Sequence, residues 1–210
     1  MKKLLTTIVL MAAALTVQAQ EHEEGDFSIQ PRVGISLSNL TGDGEKWKLN
    51  VAYGVEFEHF FTEQFSLAAG VLFTNQGTKY KDIYDGETNE KNDLTMNIYY
   101  ANIPITANYY VLPGLAVKAG LQPAFRVKAQ AKMGSTTYDY DRMMDLWKSW
   151  FDGETEDMTK FDLSIPVGLS YEIARVTFDA RYNFGLLKVI KGESVRNKAF
   201  VFTIGYKLGK

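Results

Sequence analysis

The chain has 210 residues, a formal net charge of −2 and no cysteine. Its length fits one domain or one barrel of about eight strands, and the lack of cysteine in the sequence excludes disulfides and thiolate metal sites. The near-zero net charge provides no basic field for nucleic acid, so we expect no nucleic-acid partner.

The N-terminal segment has the three parts of a secretory signal peptide. Lys2 and Lys3 precede an apolar run over residues 4–15, and a small-residue cleavage site ends at Ala19. The apolar run is shorter than the roughly 20 residues that a transmembrane helix needs. No cysteine follows the site, so an acylated N-terminus is not expected. We predict a signal peptide over residues 1–19, which is cleaved after export, and a mature domain over residues 20–210.

Beyond the signal segment, apolar and polar residues alternate in runs that predict eight strands. A period of two is that of a strand and not of a helix. The predicted strands cover residues 27–39, 48–60, 65–75, 94–110, 115–130, 160–173, 175–187 and 197–208. Short turns alternate with long loops between them, as in outer-membrane barrels, where the short turns and both termini face the periplasm. The predicted fold class is all-β, an antiparallel up-and-down transmembrane β-barrel of about eight strands.

The seventh predicted strand shows most clearly what each face carries. Its apolar residues include Phe178 and Tyr182, whereas Asp179 and Arg181 lie on the other face. A membrane-spanning strand shows apolar residues to lipid and polar residues to a closed lumen. Applied to the other strands, this pattern predicts lipid-facing residues that include Val51, Tyr53, Phe57, Leu67, Phe73, Tyr99, Ile105, Tyr109, Val167, Leu169, Phe200, Phe202 and Ile204.

The opposite faces carry acidic and basic residues in matched numbers, together with several glycines. The interior of a barrel of about eight strands is only wide enough for side chains to fill it. We therefore expect glycines to make room and opposite charges to pair across a filled lumen. The predicted lumen charge network consists of Arg32, Glu56, Glu58, Lys118, Arg126, Asp162, Glu172, Asp179, Arg181 and Lys207. A filling role is favoured over a binding site or a proton path.

Pro104 and Pro166 also fall on the lumen face of predicted strands. Proline has no N–H to donate to a β-ladder, so both are expected at bulges or edge-like sites.

The longest loop carries an apolar pattern of its own. Apolar residues recur there at spacings of three and four, which predicts a short amphipathic helix. They are Met143, Met144, Leu146, Trp147, Trp150 and Phe151. We predict an interaction surface that docks on the outer rim, on lipid headgroups or on a partner, and a plain lid over the barrel mouth is the alternative. The acids of this loop match no calcium-binding pattern, so no metal or cofactor is expected.

The candidates for catalysis are few. His22 lies in the expected frayed start of the mature chain, and His59 lies beside a tight turn. Neither is placed like a general base that is oriented by partners. No catalytic residue is therefore assigned, and an enzyme is not expected.

Several segments, taken in order, resemble the PorT-like outer-membrane β-barrel family of Bacteroidetes envelopes. They are residues 34–40 (GISLSNL), 100–105 (YANIPI), 161–168 (FDLSIPVG), 180–186 (ARYNFGL) and 202–208 (FTIGYKL). The resemblance implies an outer-membrane barrel with periplasmic termini and no single activity. Members usually have an acid before the Ile-Pro of the fourth strand, whereas this chain has Asn102, so a role of that acid is not carried over.

The main prediction is an outer-membrane barrel with a structural or interaction role, whose specificity would lie in its long extracellular loops. Its expected partners are outer-membrane lipid and, as candidates, lipopolysaccharide or another envelope protein, and a monomer is expected. The alternative is a secreted, soluble, lipocalin-like barrel whose apolar face points inward to bind an apolar ligand. An enzyme and a channel rank below these. Periodicity alone leaves the direction of the apolar face open.

Overall fold

The computed structural model describes residues 22–41, 46–84, 91–133, 136–142, 145, 158–189 and 195–209. The predicted signal peptide lies outside these residues. The described residues contain twelve strands in one antiparallel sheet. They are β1 (Phe27–Leu40), β2 (Lys48–Thr62), β3 (Phe65–Gln76), β4 (Lys79–Tyr84), β5 (Lys91–Asn102), β6 (Ile105–Leu112), β7 (Leu115–Met133), β8 (Thr136–Asp139), β9 (Phe161–Ile173), β10 (Val176–Gly185), β11 (Asn197–Tyr206) and β12 (Leu208–Gly209).

The sheet closes on itself because its first long strand pairs with its last. β1 pairs with β2 on one side and with β11 on the other, where Arg32 lies opposite Gly205. Around the wall the order is β1, β2, β3, the collinear pair β5 and β6, β7, β9, β10 and β11. The closed antiparallel barrel of eight strands is therefore confirmed. Closure removes the free sheet edges that a membrane would leave without hydrogen-bond partners.

The fourth barrel strand is interrupted where one uninterrupted strand over residues 94–110 was predicted. β5 ends at Asn102 and β6 begins at Ile105. Between them, Ile103 N donates to Pro123 O at 2.8 Å, and Pro104 O accepts from Gly70 N at 3.1 Å. Both neighbouring strands therefore remain bonded across the break, and the expected irregularity at Pro104 is confirmed.

Pro166 behaves differently from Pro104. It lies within β9 opposite Asn183, and the β9 register to β7 passes from Val167–Ala119 to Ser164–Gln122 without a shift. The prediction of a bulge or edge-like site at Pro166 was wrong, because a two-residue gap in one ladder accommodates the missing N–H.

The ends of some elements also differ from the prediction. The seventh barrel strand was predicted to reach residue 187 but ends at Gly185. β4 and β8 were not predicted, and they extend the wall through pairing with β5 and β7 on the long-loop side.

The apolar side chains of the wall point outward. Val33, Tyr53 and Leu169 are more than half exposed, whereas Arg32 and Asp179 on the opposite face are at most 5% exposed. The predicted lipid-facing set is therefore on the outer surface. The soluble alternative needs the reverse arrangement, with the apolar face around a ligand, and the structure contradicts it.

Glycines on the lumen face permit close approach of neighbouring strands. A Cβ added to Gly34 would lie 1.9 Å from Phe202 O, and one added to Gly120 would lie 1.9 Å from Ile105 O. Glycines were expected to make room for lumen side chains, and Gly205 does so, since a Cβ there would lie 3.2 Å from Arg32 Cγ. Gly34 and Gly120 instead let adjacent backbones approach each other in a narrow, strongly curved wall.

Among the described residues, no helix is long and apolar enough to cross a membrane.

Candidate functional site: the lumen charge network

Five charged side chains meet in the middle of the lumen and form the central cluster. They are Arg32, Glu56, Lys118, Asp179 and Arg181, from β1, β2, β7 and β10. The Glu56 carboxylate forms ion pairs with three basic side chains, with Arg32 Nη2 at 2.9 Å, Arg181 Nη2 at 2.9 Å and Lys118 Nζ at 3.2 Å. These residues point into the lumen because side chains alternate between the two faces of a strand. On each strand they lie an even number of positions from other inward-facing residues.

Asp179 is the second acid of the central cluster. Arg181 donates two hydrogen bonds to it, from Nε to Oδ1 at 2.6 Å and from Nη2 to Oδ2 at 2.9 Å. Lys118 Nζ lies 2.9 Å from Oδ2, and Arg32 Nη1 lies 3.7 Å from it. Lys118 and Arg32 thus contact both acids, and the ion pairs connect opposite sides of the barrel. Such buried pairs need this dense bonding to offset the cost of removing the charges from water.

A second group, the lower cluster, lies nearer the short turns and consists of Glu58, Glu172 and Lys207. Lys207 Nζ lies 2.5 Å from Glu172 Oε2 and 3.3 Å from Glu58 Oε2. Glu58 also accepts hydrogen bonds from Ser66 Oγ at 2.6 Å and Tyr110 Oη at 3.0 Å. Lys207 is therefore held between two carboxylates, and neighbouring hydroxyls stabilise that of Glu58 in turn.

Gln30 connects the two clusters. Its Nε2 donates to Glu58 at 2.8 Å, and its Oε1 accepts from Arg32 at 2.7 Å. The central cluster has three bases and two acids, whereas the lower cluster has one base and two acids. The two clusters that Gln30 connects therefore hold eight formal charges whose sum is zero, which suits an enclosed region of low dielectric constant.

His22 packs into the short-turn end of the lumen, in contrast to the frayed start that the sequence led us to expect. Its ring stacks on Phe60 at 3.9 Å between centroids, and its Nε2 lies 3.4 Å from Glu172 Oε2. Gly25 N donates to Phe60 O at 2.8 Å and fixes the segment to β2. No periodic pattern precedes β1, so sequence reasoning had no signal for this contact. His59 is exposed on the outer surface.

Arg126 and Asp162 lie apart from the other eight predicted network residues. Arg126 pairs with Asp141 at 2.9 Å, toward the long loops. The Asp162 carboxylate is buried and accepts from Asn197 Nδ2 at 2.7 Å and Leu163 N at 2.8 Å. It has no ion-pair partner among the residues that the structure describes. The structure thus brings eight of the ten predicted residues together and separates these two.

Buried amides surround Asp162, for which the sequence predicted pairing with opposite charges. This amide layer comprises Gln76, Asn102, Gln122, Asn183 and Asn197. Beyond it lies the outer apolar cluster, formed by Leu40, Ile98, Tyr100, Ala124, Ala129, Met158 and Val189. Neither group was predicted. From the short turns outward, the lumen therefore holds charges, then amides, then apolar side chains.

The predicted loop surface of Met143, Met144, Leu146, Trp147, Trp150 and Phe151 lies outside the described residues. Within the described part of the chain, no group of three or more His, Cys, Asp or Glu residues is arranged to hold a metal ion.

Comparison with known proteins identifies the sequence family. A family model described as "Outer membrane protein beta-barrel domain" matches residues 18–191, which is most of the chain. No match was found among curated proteins.

The chain is also similar to solved structures of bacterial proteins. Ail, the attachment invasion locus protein of Yersinia pestis, was solved in complex with the heparin analogue sucrose octasulfate. It is 15% identical to this chain with a TM-score of 0.52, and the match covers 88% of this chain and 99% of Ail. Neisserial surface protein A matches at 14% identity and a TM-score of 0.49, covering 87% of this chain and 97% of its own. OprG from Pseudomonas aeruginosa matches at 15% identity and a TM-score of 0.41, covering 91% and 100%. At such identities the likeness to Ail establishes the fold.

Proposed function

Because this chain belongs to the family of outer membrane protein beta-barrel domains, we propose that it acts as a closed, non-conducting barrel with a structural or interaction role. The outer membrane is its location, as the family shows.

The observation that carries this proposal is the paired filling of the lumen. Glu56 and Asp179 each contact all three bases of the central cluster. An aqueous pathway for solutes would need these side chains to separate and hydrate. The pairs instead tie β1, β2, β7 and β10 together, as expected of a narrow barrel whose interior is packed with side chains.

Interaction specificity is proposed to reside in the long loops and not in the wall. Loops on a rigid scaffold tolerate variation and carry most binding residues. The amphipathic spacing over residues 143–151 suits contact with lipid headgroups, with lipopolysaccharide or with another envelope protein. We propose that the chain is a monomer in the membrane, that it catalyses no reaction and that it needs no cofactor.

The route to the membrane is proposed from the N-terminal pattern. Residues 1–19 have the composition of a cleaved signal peptide, so the mature chain would begin at Gln20, two residues before His22. We further propose that the chain belongs to the PorT-like group within the wider family, on the basis of residues 34–40, 100–105, 161–168, 180–186 and 202–208.

The first experiment is conductance of the purified barrel in planar lipid bilayers, with insertion verified by a mobility shift between unboiled and boiled samples on a detergent gel. We expect the gel shift and no conductance steps, because the paired side chains occlude the lumen. Regular single-channel steps from the folded protein would contradict the proposal and indicate a channel.

A second arm tests the loop. The variant lacking residues 143–151 is compared with the full chain for binding to vesicles that contain lipopolysaccharide and to vesicles of phospholipid alone. Weaker binding by a variant that retains its gel shift supports an interaction surface. Unchanged binding together with lower stability supports the plain lid.

A further inference from the structure

The amide layer encloses a small polar cavity beside a buried carboxylate. The cavity has a volume of about 10 Å³, and its walls include Asp162, Gln122, Asn183 and Asn197. That volume is close to the space that one water-sized guest occupies. Each of these four side chains is at most 7% exposed.

Three residues that line the cavity have side-chain oxygen acceptors without hydrogen-bond donors. Gln122 Oε1, Asn183 Oδ1 and Asn197 Oδ1 are buried and accept no hydrogen bond from the residues that the structure describes. Buried acceptors are normally satisfied, and leaving one without a partner costs about 1–3 kcal/mol. Three such oxygens around one cavity indicate a guest there that supplies hydrogen-bond donors or positive charge.

The orientation of Gln122 follows from its neighbours. Asn102 Nδ2 donates to the backbone oxygen of Leu72 at 2.8 Å, so Asn102 Oδ1 is an acceptor. Gln122 Nε2 lies 3.2 Å from that Oδ1 and must be the donor. Its Oε1 is therefore the atom left over. A chain of bonds that begins at a backbone carbonyl thus fixes which end of the amide lacks a partner.

Asn197 is oriented in the same way. Its Nδ2 donates to Asp162 Oδ2 at 2.7 Å and to Tyr100 Oη at 3.3 Å, so its Oδ1 is the free acceptor. Asp162 Oδ1 accepts from Leu163 N at 2.8 Å. Both carboxylate oxygens accept from N–H donors, and such hydrogen bonds favour the ionised form of the acid.

The charge of Asp162 is not balanced nearby. Arg126 belongs to β7, the neighbouring strand that pairs with β9, but its guanidinium contacts Asp141 at 2.9 Å and Met158 O at 3.4 Å, outside the cavity. An isolated buried carboxylate is costly unless a counter-charge accompanies it. The four acids of the two charge clusters each have such a partner within 3.4 Å, so Asp162 differs from every other acid of the predicted network.

We propose that this cavity binds one sodium ion, held by the carboxylate of Asp162 and by the amide oxygens of Gln122, Asn183 and Asn197. Hard cations prefer oxygen ligands of these types. One carboxylate balances one positive charge, whereas calcium sites commonly use several carboxylates. The small volume favours sodium over the larger potassium ion. The site goes beyond the proposed structural or interaction role and does not depend on it.

The test titrates sodium against choline at constant ionic strength and measures the unfolding of the purified, detergent-folded barrel in urea by its gel shift. Above the dissociation constant, each tenfold rise in sodium should increase the folding equilibrium constant about tenfold for one site that only the folded state contains. Potassium should give a smaller response. Retention of about one radioactive sodium per chain on equilibrium dialysis provides a direct measurement.

Matched variants assign the response to the cavity. Asp162→Asn preserves the shape but should abolish the sodium response. Asn183→Ala removes an oxygen for which no hydrogen bond is described, so this variant should fold and need more sodium for the same effect, even if Asp162→Asn fails to fold. Glu63→Gln removes an exposed carboxylate in the short turn between β2 and β3, at the other end of the barrel, and should leave the response unchanged. Coinciding sodium and choline curves for the natural chain, or an undiminished response in both cavity variants, would overturn the proposal and leave a water molecule as the only guest.

Discussion

The two halves of the lumen reach stability by different means. On the short-turn side, eight charged residues are matched acid to base, and their sum is zero. On the long-loop side, amides surround one acid, and the outer apolar cluster lies above them. The face on which a polar residue lies therefore does not by itself determine the role of that residue. Its partners on the neighbouring strands decide whether it is a structural ion pair or an open acceptor.

The largest effect that separates the two halves is expected from Glu56→Gln. The substitution leaves Asp179 alone against three buried bases, so we expect a loss of about 3–5 kcal/mol in the free energy of unfolding, measured by urea titration in detergent or vesicles. The double variant Glu56→Gln with Lys118→Met restores the net charge of the central cluster and should recover part of the loss. Additive losses would show that charge balance does not hold this half together.

A somewhat smaller effect is expected in the outer half from Ile98→Ala. Ile98 is fully buried in the outer apolar cluster, and its truncation should cost about 2–3 kcal/mol by loss of burial and creation of a cavity. Ile98→Val is the graded control and should cost about 0.5–1.5 kcal/mol. The loss should be insensitive to salt, because no charge is involved. If the stability loss of Ile98→Ala varied with salt as much as that of Glu56→Gln, the two halves of the lumen would not be stabilised by different means.

The smallest effect is expected at the short-turn end from His22→Ala. The ring contributes stacking on Phe60 and a contact to Glu172, and an aromatic pair adds about 0.5–1.5 kcal/mol. His59→Ala is the comparison on the outer surface, where the exposed ring meets Phe61 edge-on at 4.8 Å between centroids, and it should lower the unfolding midpoint less than His22→Ala does, because it removes no buried contact. Equal midpoints for both variants would mean that the N-terminal segment adds nothing to the stability of the lower cluster.

Much of the wall was predictable because strand geometry ties sequence parity to face. In β10, each polar residue from Thr177 to Asn183 is buried and each apolar residue between them is more exposed. The break at Pro104 was also predictable in kind, since proline lacks a ladder donor. The extent of the break was not predictable, because the break depends on hydrogen bonds to Gly70 and Pro123 of other strands.

The contents of the outer half could not be predicted for a related reason. The predicted outward direction of Tyr99 gives its neighbours Ile98 and Tyr100 the inward parity, and both are buried. Parity does not show which residues they meet, and their partners in the outer apolar cluster include Met158 and Val189 from outside the strands. Asp162 had the same parity as the paired acids, and only the positions of neighbouring strands show that its partners are amides. The residues of the charge network were predictable, whereas their division into separate groups required the structure.

The seam between β1 and β11 has a consequence for how the protein is made. The residues that it joins, such as Arg32 and Gly205, lie near opposite ends of the chain. Contacts of such long sequence separation slow folding, since a large loop must close before they form. The last barrel strand must therefore be present before the wall is complete, and a nascent chain truncated before residue 197 should remain a substrate for envelope proteases. Once the seam is formed, the same topology should make unfolding slow, because no terminal strand can leave without breaking a ladder on each side.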